Sequence, residues 1–154
     1  MIKLQRVLVP TDFSDCSDAA VKYGRAFSRA FQASLYLLHI IQDPYTQPWA
    51  AEAFPAPLND LLDQWQAQAR KRLSESLTEA DRAAAIVDVR IGSPYVEIVR
   101  YAEEQQIDMI VLGTHGRGPL GHVLLGSVAE KVVRKAPCPV LTVRSAQHEF
   151  LEGE

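Results

Sequence analysis

Long apolar runs are missing from this chain of 154 residues. No stretch approaches the roughly 18 consecutive apolar residues that a membrane-crossing helix needs, so membrane insertion is not expected. The first ten residues, MIKLQRVLVP, lack a hydrophobic region ahead of a small-residue cleavage site, which argues against a secretory signal and for a cytoplasmic protein. Cysteine is scarce: Cys16 and Cys138 lie far apart without a CxxC spacing. That speaks against a disulfide framework or a zinc ribbon and suits small buried residues in a reducing compartment. An excess of positive charge is also absent. Sixteen Lys and Arg stand against 19 Asp and Glu, for a net charge of −3, whereas a domain that binds nucleic acid by neutralising phosphates is normally basic. There is no internal repeat and no low-complexity block.

What remains is an ordinary globular composition, 47% apolar and 23% charged, in a length that suits one domain with one core. The domain is expected over residues 1–146, with 147–154 as a short, frayed acidic tail. LQRVLV (4–9) reads as a strand ended by Pro10. A helix follows from about Ser14, a good N-cap, with Asp15 and Asp18 in its first turn and Ala19, Tyr23, Ala26, Phe27 and Ala30 as its inner stripe. SLYLLHII (34–41) is apolar almost throughout, as a strand covered on both faces should be. Residues 42–57 carry Pro44, Pro48, Pro55 and Pro57 among Tyr45, Trp49 and Phe54. They read as a long loop, either a lid or partner surface or a segment packed on the core. A second helix from about Leu58 places Leu61, Leu62, Trp65, Ala69, Leu73 and Leu77 at helical spacing. AAIVDVRIG (84–92) is a third strand, and Ser93-Pro94 opens a third helix with Tyr95, Ile98, Val99 and Ala102 inward. IDMIVLG (107–113) is a fourth strand, residues 127–135 a fourth helix and PVLTVR (139–144) a fifth strand. Strands alternating with helices in this way predict a parallel α/β sheet covered on both faces.

Between the fourth strand and fourth helix, five glycines fall at 113, 116, 118, 121 and 126. So much backbone freedom costs conformational entropy on folding and asks for a reason. A Walker loop requires a Gly-Lys-Ser/Thr ending, which is absent. GxGxxG occurs at Gly116–Gly121, after a strand and before a helix. The dinucleotide fingerprint, however, belongs in the first strand–helix turn, with a carboxylate about 20 residues on; here that distance reaches 141–144, which holds none. The remaining pattern, Gly113-x2-Gly116-x9-Gly126-Ser127, resembles the ATP-binding signature of the universal stress protein family. The resemblance extends to VLVPTDFSDCSDAAVKYG (7–24), LLHII (37–41), IGSPYVEIV (91–99) and APCPVLTVR (136–144).

The resemblance implies an open, doubly wound, Rossmann-like five-stranded sheet of order 3-2-1-4-5 with four helices, and a nucleotide-binding domain over 1–146. In that order the winding reverses between strands 1 and 4, where ligands bind outside the carboxyl ends of the strands. Pro10, Thr11 and Asp12 on one side and Leu112, Gly113 and Thr114 on the other would then meet in one crevice. Gly113 and Gly116 suit close approach of the backbone to phosphates, with positive φ where needed. Gly126 clears the approach to the helix N-terminus, where by resemblance Ser127 and Val128 contact phosphate; Ser127-x-x-Glu130 also reads as a capping box. Asp12 suits ribose, adenine or a metal-bound water, or else an Asx turn. Ile40 matches the family position whose backbone meets adenine, and otherwise is core. His39 reads as a satisfied histidine. Arg117 is a loop cation able to pair with phosphate or simply an exposed arginine. His115 and His122 have no recognised metal spacing, so no metal site made by protein side chains is expected; Mg²⁺ or Mn²⁺ would arrive on ATP phosphates.

The expected function is an ATP-binding regulatory module of the stress response with at most slow hydrolysis. The alternatives are a nucleotide-free dimeric interaction protein, a slow ATPase or cyclic-AMP binder, and an NAD(P)-binding oxidoreductase fragment. Within the strand at 139–144, Val140-Leu141-Thr142-Val143 forms an edge without a proline or charge inside it, which invites pairing, and related proteins dimerise through their fifth strand. A homodimer, and a further protein partner of unidentified kind, are therefore expected.

Overall fold

A computed structural model describes residues 1–46, 52, 59–114, 125–144 and 151. Five strands, β1 (Arg6–Pro10), β2 (Ser34–Ile41), β3 (Ile86–Ile91), β4 (Met109–Gly113) and β5 (Val140–Val143), form one sheet in the order β3-β2-β1-β4-β5. Every neighbouring pair is parallel, with Val7 beside Leu35 on one side of β1 and beside Met109 on the other. The helices are α1 (Asp15–Phe31), α2 (Asn59–Glu75), α3 (Glu79–Arg82), α4 (Pro94–Glu104) and α5 (Ser127–Lys135), and a single 3₁₀ turn spans Pro44–Thr46. The expected doubly wound architecture and strand order are those observed.

The two-residue period of a strand divides the core into two layers. Val7 and Val9 of β1, Leu35 and Leu37 of β2 and Val111 of β4 join Ala20, Val21 and Tyr23 of α1 and Ala69 and Leu73 of α2. Leu8, Tyr36, Leu38, Ile110 and Leu112 point the other way, onto Ile98, Tyr101 and Ala102 of α4 and Ala129 and Val132 of α5. Parallel crossovers are right-handed. Winding outward from β1 to β2 and β3 therefore puts α1 and α2 on one face, and returning to β4 and β5 puts α4 and α5 on the other.

Local choices agree with this plan. Ser14 caps α1 by accepting the Ser17 amide, and Asp15 and Asp18 occupy the first turn. Gly24 lies against Val9, where an added Cβ would collide with the valine side chain, so its absence lets α1 settle onto β1. The inner stripe of α1 differs from the one read in the sequence. Ala20, Val21, Gly24, Arg25 and Ser28 are buried while Ala30 is exposed, because two polar side chains find partners inside. The Ser28 hydroxyl donates to the Ala33 carbonyl at 2.6 Å, and Arg25 Nε donates to Asp81 at 2.6 Å.

Asp81 belongs to α3, which the sequence reading did not include. The helix is only four residues long, too short for an apolar period, and rests on a Thr78 cap. Its carboxylate takes the Thr78 hydroxyl at 2.7 Å and Arg29 Nη2 at 2.8 Å besides Arg25, tying the chain ahead of β3 to α1. Leu151, the one described residue beyond Arg144, is half-buried against the first core layer. Residues 47–51 and 53–58, and with them most of the proline-rich loop expected at 42–57, lie outside the described residues.

Burial by itself would raise the Asp81 carboxyl, but the Thr78 hydroxyl and the Arg29 and Arg25 guanidiniums outweigh it and pull the group down to about 2. A carboxyl depressed on folding adds stability that is complete above its unfolded value, about 4, and is lost as pH falls towards the folded value. Asp81→Asn should therefore lower the urea midpoint at pH 7, and the gap from the parent chain should close between about pH 4 and pH 2. A gap unchanged across that range would contradict the ion-pair account.

Candidate functional site

The carboxyl ends of β1, β2 and β4 open onto one cleft of about 740 Å³. Ten of the twelve residues singled out in the sequence line it: Pro10, Thr11, Asp12, Ile40, Leu112, Gly113, Thr114, Gly126, Ser127 and Val128. Gly116 and Arg117 lie outside the described residues, as do His115, Gly118, Gly121 and His122. The lining also includes Ser17, Leu38, His39, Gln42, Pro94, Ile98, Leu125, Ala129 and Glu130. The sequence placed Ile98 on an inner stripe, and it serves there as well as in the cleft. Pro94 was legible only as the first helical residue; α4 brings it over the sheet because the chain crosses from β3 to β4 on that side.

The end of β1 is held on three sides. The Thr11 amide donates to the Leu38 carbonyl at 2.9 Å, and the Thr11 carbonyl accepts from His39 Nδ1 at 2.8 Å. That contact assigns the Nδ1–H tautomer to His39, as expected of a satisfied histidine. The Thr11 hydroxyl accepts the Phe13 amide at 3.0 Å. The chain then turns through Phe13 in the left-handed region, φ 62°, an unusual place for a bulky residue.

Asp12 sits at the head of this turn. Its Oδ1 accepts the Ser14 amide at 3.0 Å and the Ser17 hydroxyl at 2.6 Å, while its own amide donates to Ser17 Oγ at 3.2 Å. The Asx turn weighed from the sequence is present, and the carboxylate lines the cleft as well. Burial acts to raise this carboxyl, and the bonds from Ser14 and Ser17 overcome it to hold it below its ordinary range. Asp12 is thus an ionised acceptor with one oxygen fixed in place. Ser17 was missed: it lies in the first turn of α1, and only the fold of the turn brings it onto Asp12.

Two expectations about this loop need correction. Gly113 does not take a positive φ. A Cβ there would meet the backbone C and O of Cys16 at 2.8 Å, so its smallness admits the first turn of α1 beside β4. The capping box at Ser127 does not form either. The N-cap is Gly126 (φ −67°, ψ 162°), without a side-chain cap, and Ser127 is the first helical residue. The Gly126 amide instead donates to the Thr114 carbonyl, and the Glu130 amide returns to Gly126. The amides of Ser127, Val128 and Ala129 consequently have no acceptor among the described residues and face the cleft as the positive end of α5.

Charge in the cleft is one-sided. Asp12 and Glu130 line it, and no Lys or Arg does among the described residues. Nor is there, among those residues, a group of three or more His, Cys, Asp or Glu able to hold a metal ion. Both cysteines are free, Cys16 buried and Cys138 half-buried.

Comparison with known proteins agrees with this geometry. The model of the Universal stress protein family matches residues 3–144. Universal stress protein MJ0531 from Methanocaldococcus jannaschii is 32% identical over 145 residues, covering 94% of this chain and 85% of that protein. Universal stress protein MJ0577 from the same organism is 30% identical over 156 residues, covering 93% of this chain and 96% of its own. The solved structure of MJ0577 superposes with a TM-score of 0.78 at 31% identity, covering 96% of this chain and all of that one. A universal stress protein solved in complex with cAMP superposes with a TM-score of 0.58 at 27% identity, over 92% of this chain and 98% of that one.

Ser17→Ala removes both the shortest bond to Asp12 and the acceptor of its amide. The Asp12 carboxyl should titrate at a higher pH, followed by carbon NMR, and the fold should lose about 1–2 kcal/mol at pH 7. Because Asp12 is depressed on folding, that loss should shrink below about pH 4. An unmoved Asp12 titration would remove Ser17 from the site.

Proposed function

Since the chain belongs to the universal stress protein family, we propose that the cleft holds ATP, with Mg²⁺ or Mn²⁺ on the phosphates, in a cytoplasmic regulatory module that hydrolyses the nucleotide slowly or not at all. The observation that carries this reading is the uncapped N-terminus of α5, which faces the same cleft as the Asp12 carboxylate. Three unsatisfied amides and the helix dipole suit a phosphate, and a fixed carboxylate acceptor suits the hydroxyls of a ribose. An anion beside Asp12 and Glu130 would be repelled unless a hard divalent cation came with it, which favours the metal–nucleotide pair over free ATP. The relative in complex with cAMP supports an adenine nucleotide.

Phosphoryl transfer draws on cationic clamps and a positioned base or water. Among the described residues the lining sets no cationic clamp beside its carboxylates and apolar walls, which supports holding over turnover. No helix among the described residues is long and apolar enough to cross a membrane, in keeping with a cytoplasmic site of action.

Thermal unfolding with MgATP, AMP, cAMP and NADH tests the ligand. MgATP at a hundred times its Kd should add about 2.7 kcal/mol and raise Tm by about 5–10 °C. cAMP should give a smaller shift and NADH none. Asp12→Ala should weaken MgATP at least about tenfold. No shift with any adenine nucleotide at millimolar concentration would defeat the reading.

The exposed edge of β5 also supports a homodimer. β5 is the last strand of the sheet, and its Val140, Leu141 and Thr142 are half-buried or exposed. Light scattering at micromolar concentration should give twice the 17.1 kDa chain mass; a monomer would contradict pairing through this edge.

A further inference from the structure

A second, smaller cavity of about 300 Å³ adjoins the first, with His39, Ile40 and Gln42 at the end of β2 forming the wall common to both. Its outer side is made by Phe13 and by Trp65, Gln68 and Arg72 of α2. None of its lining residues is an acid. The Arg72 guanidinium lies over the Phe13 ring at 4.0 Å, and the Phe13 and His39 ring centroids are 4.5 Å apart. Among the described residues Arg72 has no carboxylate and no hydrogen-bond acceptor. Two other arginines of α2 and β3 are engaged by comparison: Arg70 with Asp88 at 3.1 Å, and Arg90 with Glu104 at 2.6 Å.

A guanidinium stacked on an aromatic face keeps its N–H donors, which lie in its own plane, available at the edge. Phe13 therefore acts as a platform that orients a charged fork beside the cavity. The left-handed φ of Phe13 is what turns its ring out of the β1–α1 connection to that position. Around the fork stand the indole of Trp65, a flat apolar face with one N–H donor, and the amides of Gln42 and Gln68. A fork of two parallel donors matches the two oxygens of a carboxylate. With a single cation in the lining, a phosphate dianion would be left under-compensated. A volume of about 300 Å³ accommodates one ring with its substituent.

We propose that this cavity is a binding subsite for a small aromatic carboxylate, with Arg72 taking the carboxylate and Phe13 and Trp65 flanking the ring. Because it shares a wall with the larger cleft, its occupant touches the same β2 residues that line the nucleotide site. The molecule would then respond to two classes of small ligand through neighbouring cavities.

Anthranilate is a suitable probe, read by quenching of Trp65 in a Trp49→Phe background so that Trp65 is the sole indole. Quenching should saturate, and benzoate should reverse it while inorganic phosphate at the same concentration does not. Arg72→Gln should weaken anthranilate at least about tenfold, and Arg72→Lys should recover only part of that loss, since it restores the charge without the fork. Lys71→Gln, which changes the same charge one residue away on the helix surface, should stay within about twofold. Unsaturable quenching, an Arg72→Gln variant that binds as well as the parent, full rescue by Arg72→Lys, or displacement by phosphate ahead of benzoate would each overturn the assignment. Anthranilate is titrated with no nucleotide present, so failure here and failure of the ATP reading are separate results.

Discussion

The position of β1 between β2 and β4 is the constraint from which the cleft follows. From β1 the chain winds outward through β2 to β3 and later returns to the other edge of β1 with β4, and right-handed connections in the two opposite directions force their helices onto opposite faces. The space between the two windings has no helix to fill it. Whatever ends β1 and β4 must line that space, which is why Pro10–Asp12 and Leu112–Thr114, about a hundred residues apart in the chain, share one cleft. The backbone bond from Thr11 to Leu38 and the His39 bond to Thr11 then hold the rim of β1 against β2. A shift of this rim would move Asp12, Phe13 and the shared wall of both cavities together.

The cleft divides its polarity between backbone and side chains. Among the described residues, positive character comes from peptide groups, the amides at the start of α5 that have no acceptor there, and negative character from the Asp12 and Glu130 carboxylates. Backbone dipoles aimed by a helix cost no reorganisation when a ligand arrives, and a carboxylate fixed by two donors has little rotamer freedom left to lose. Ser17 contributes to both economies. It accepts the Asp12 amide and donates to the Asp12 carboxylate, locking the turn and the charge with one hydroxyl. The second cavity reverses the division, with its positive charge on the Arg72 side chain and its walls aromatic.

Glycine chemistry shows how function and packing become confused when only the sequence is read. Gly113 belongs to a signature associated with phosphate, yet its missing Cβ serves the backbone of Cys16. Both readings fall on one atom position because α1 and the cleft meet β4 at the same end. Gly126 likewise replaces the side-chain cap that Ser127-x-x-Glu130 seemed to promise, and by doing so leaves the helix amides open to the cleft. The four-residue α3 and its half-buried Asp81 carboxylate were invisible for a related reason. A structure too short to show a period announces itself only through its partners, here Arg25 and Arg29 on a helix some fifty residues earlier.

The family resemblance carried by the spaced glycines and the PTD turn implied the strand order under which those residues meet in a cleft; hydrophobic period and the order of elements were enough, by themselves, to determine an alternating α/β chain. These signals are local: a two- or 3.6-residue repeat and a loop composition are written in consecutive positions. Tertiary structure alone decided which face of α1 is buried, what occupies the space beside Gly113, how Ser17 holds Asp12, and that Phe13 and Arg72 stack beside a second cavity. Each of those depends on the distance between segments remote in sequence, a quantity set by how two windings of helices pack on one sheet and not by any run of residues within it.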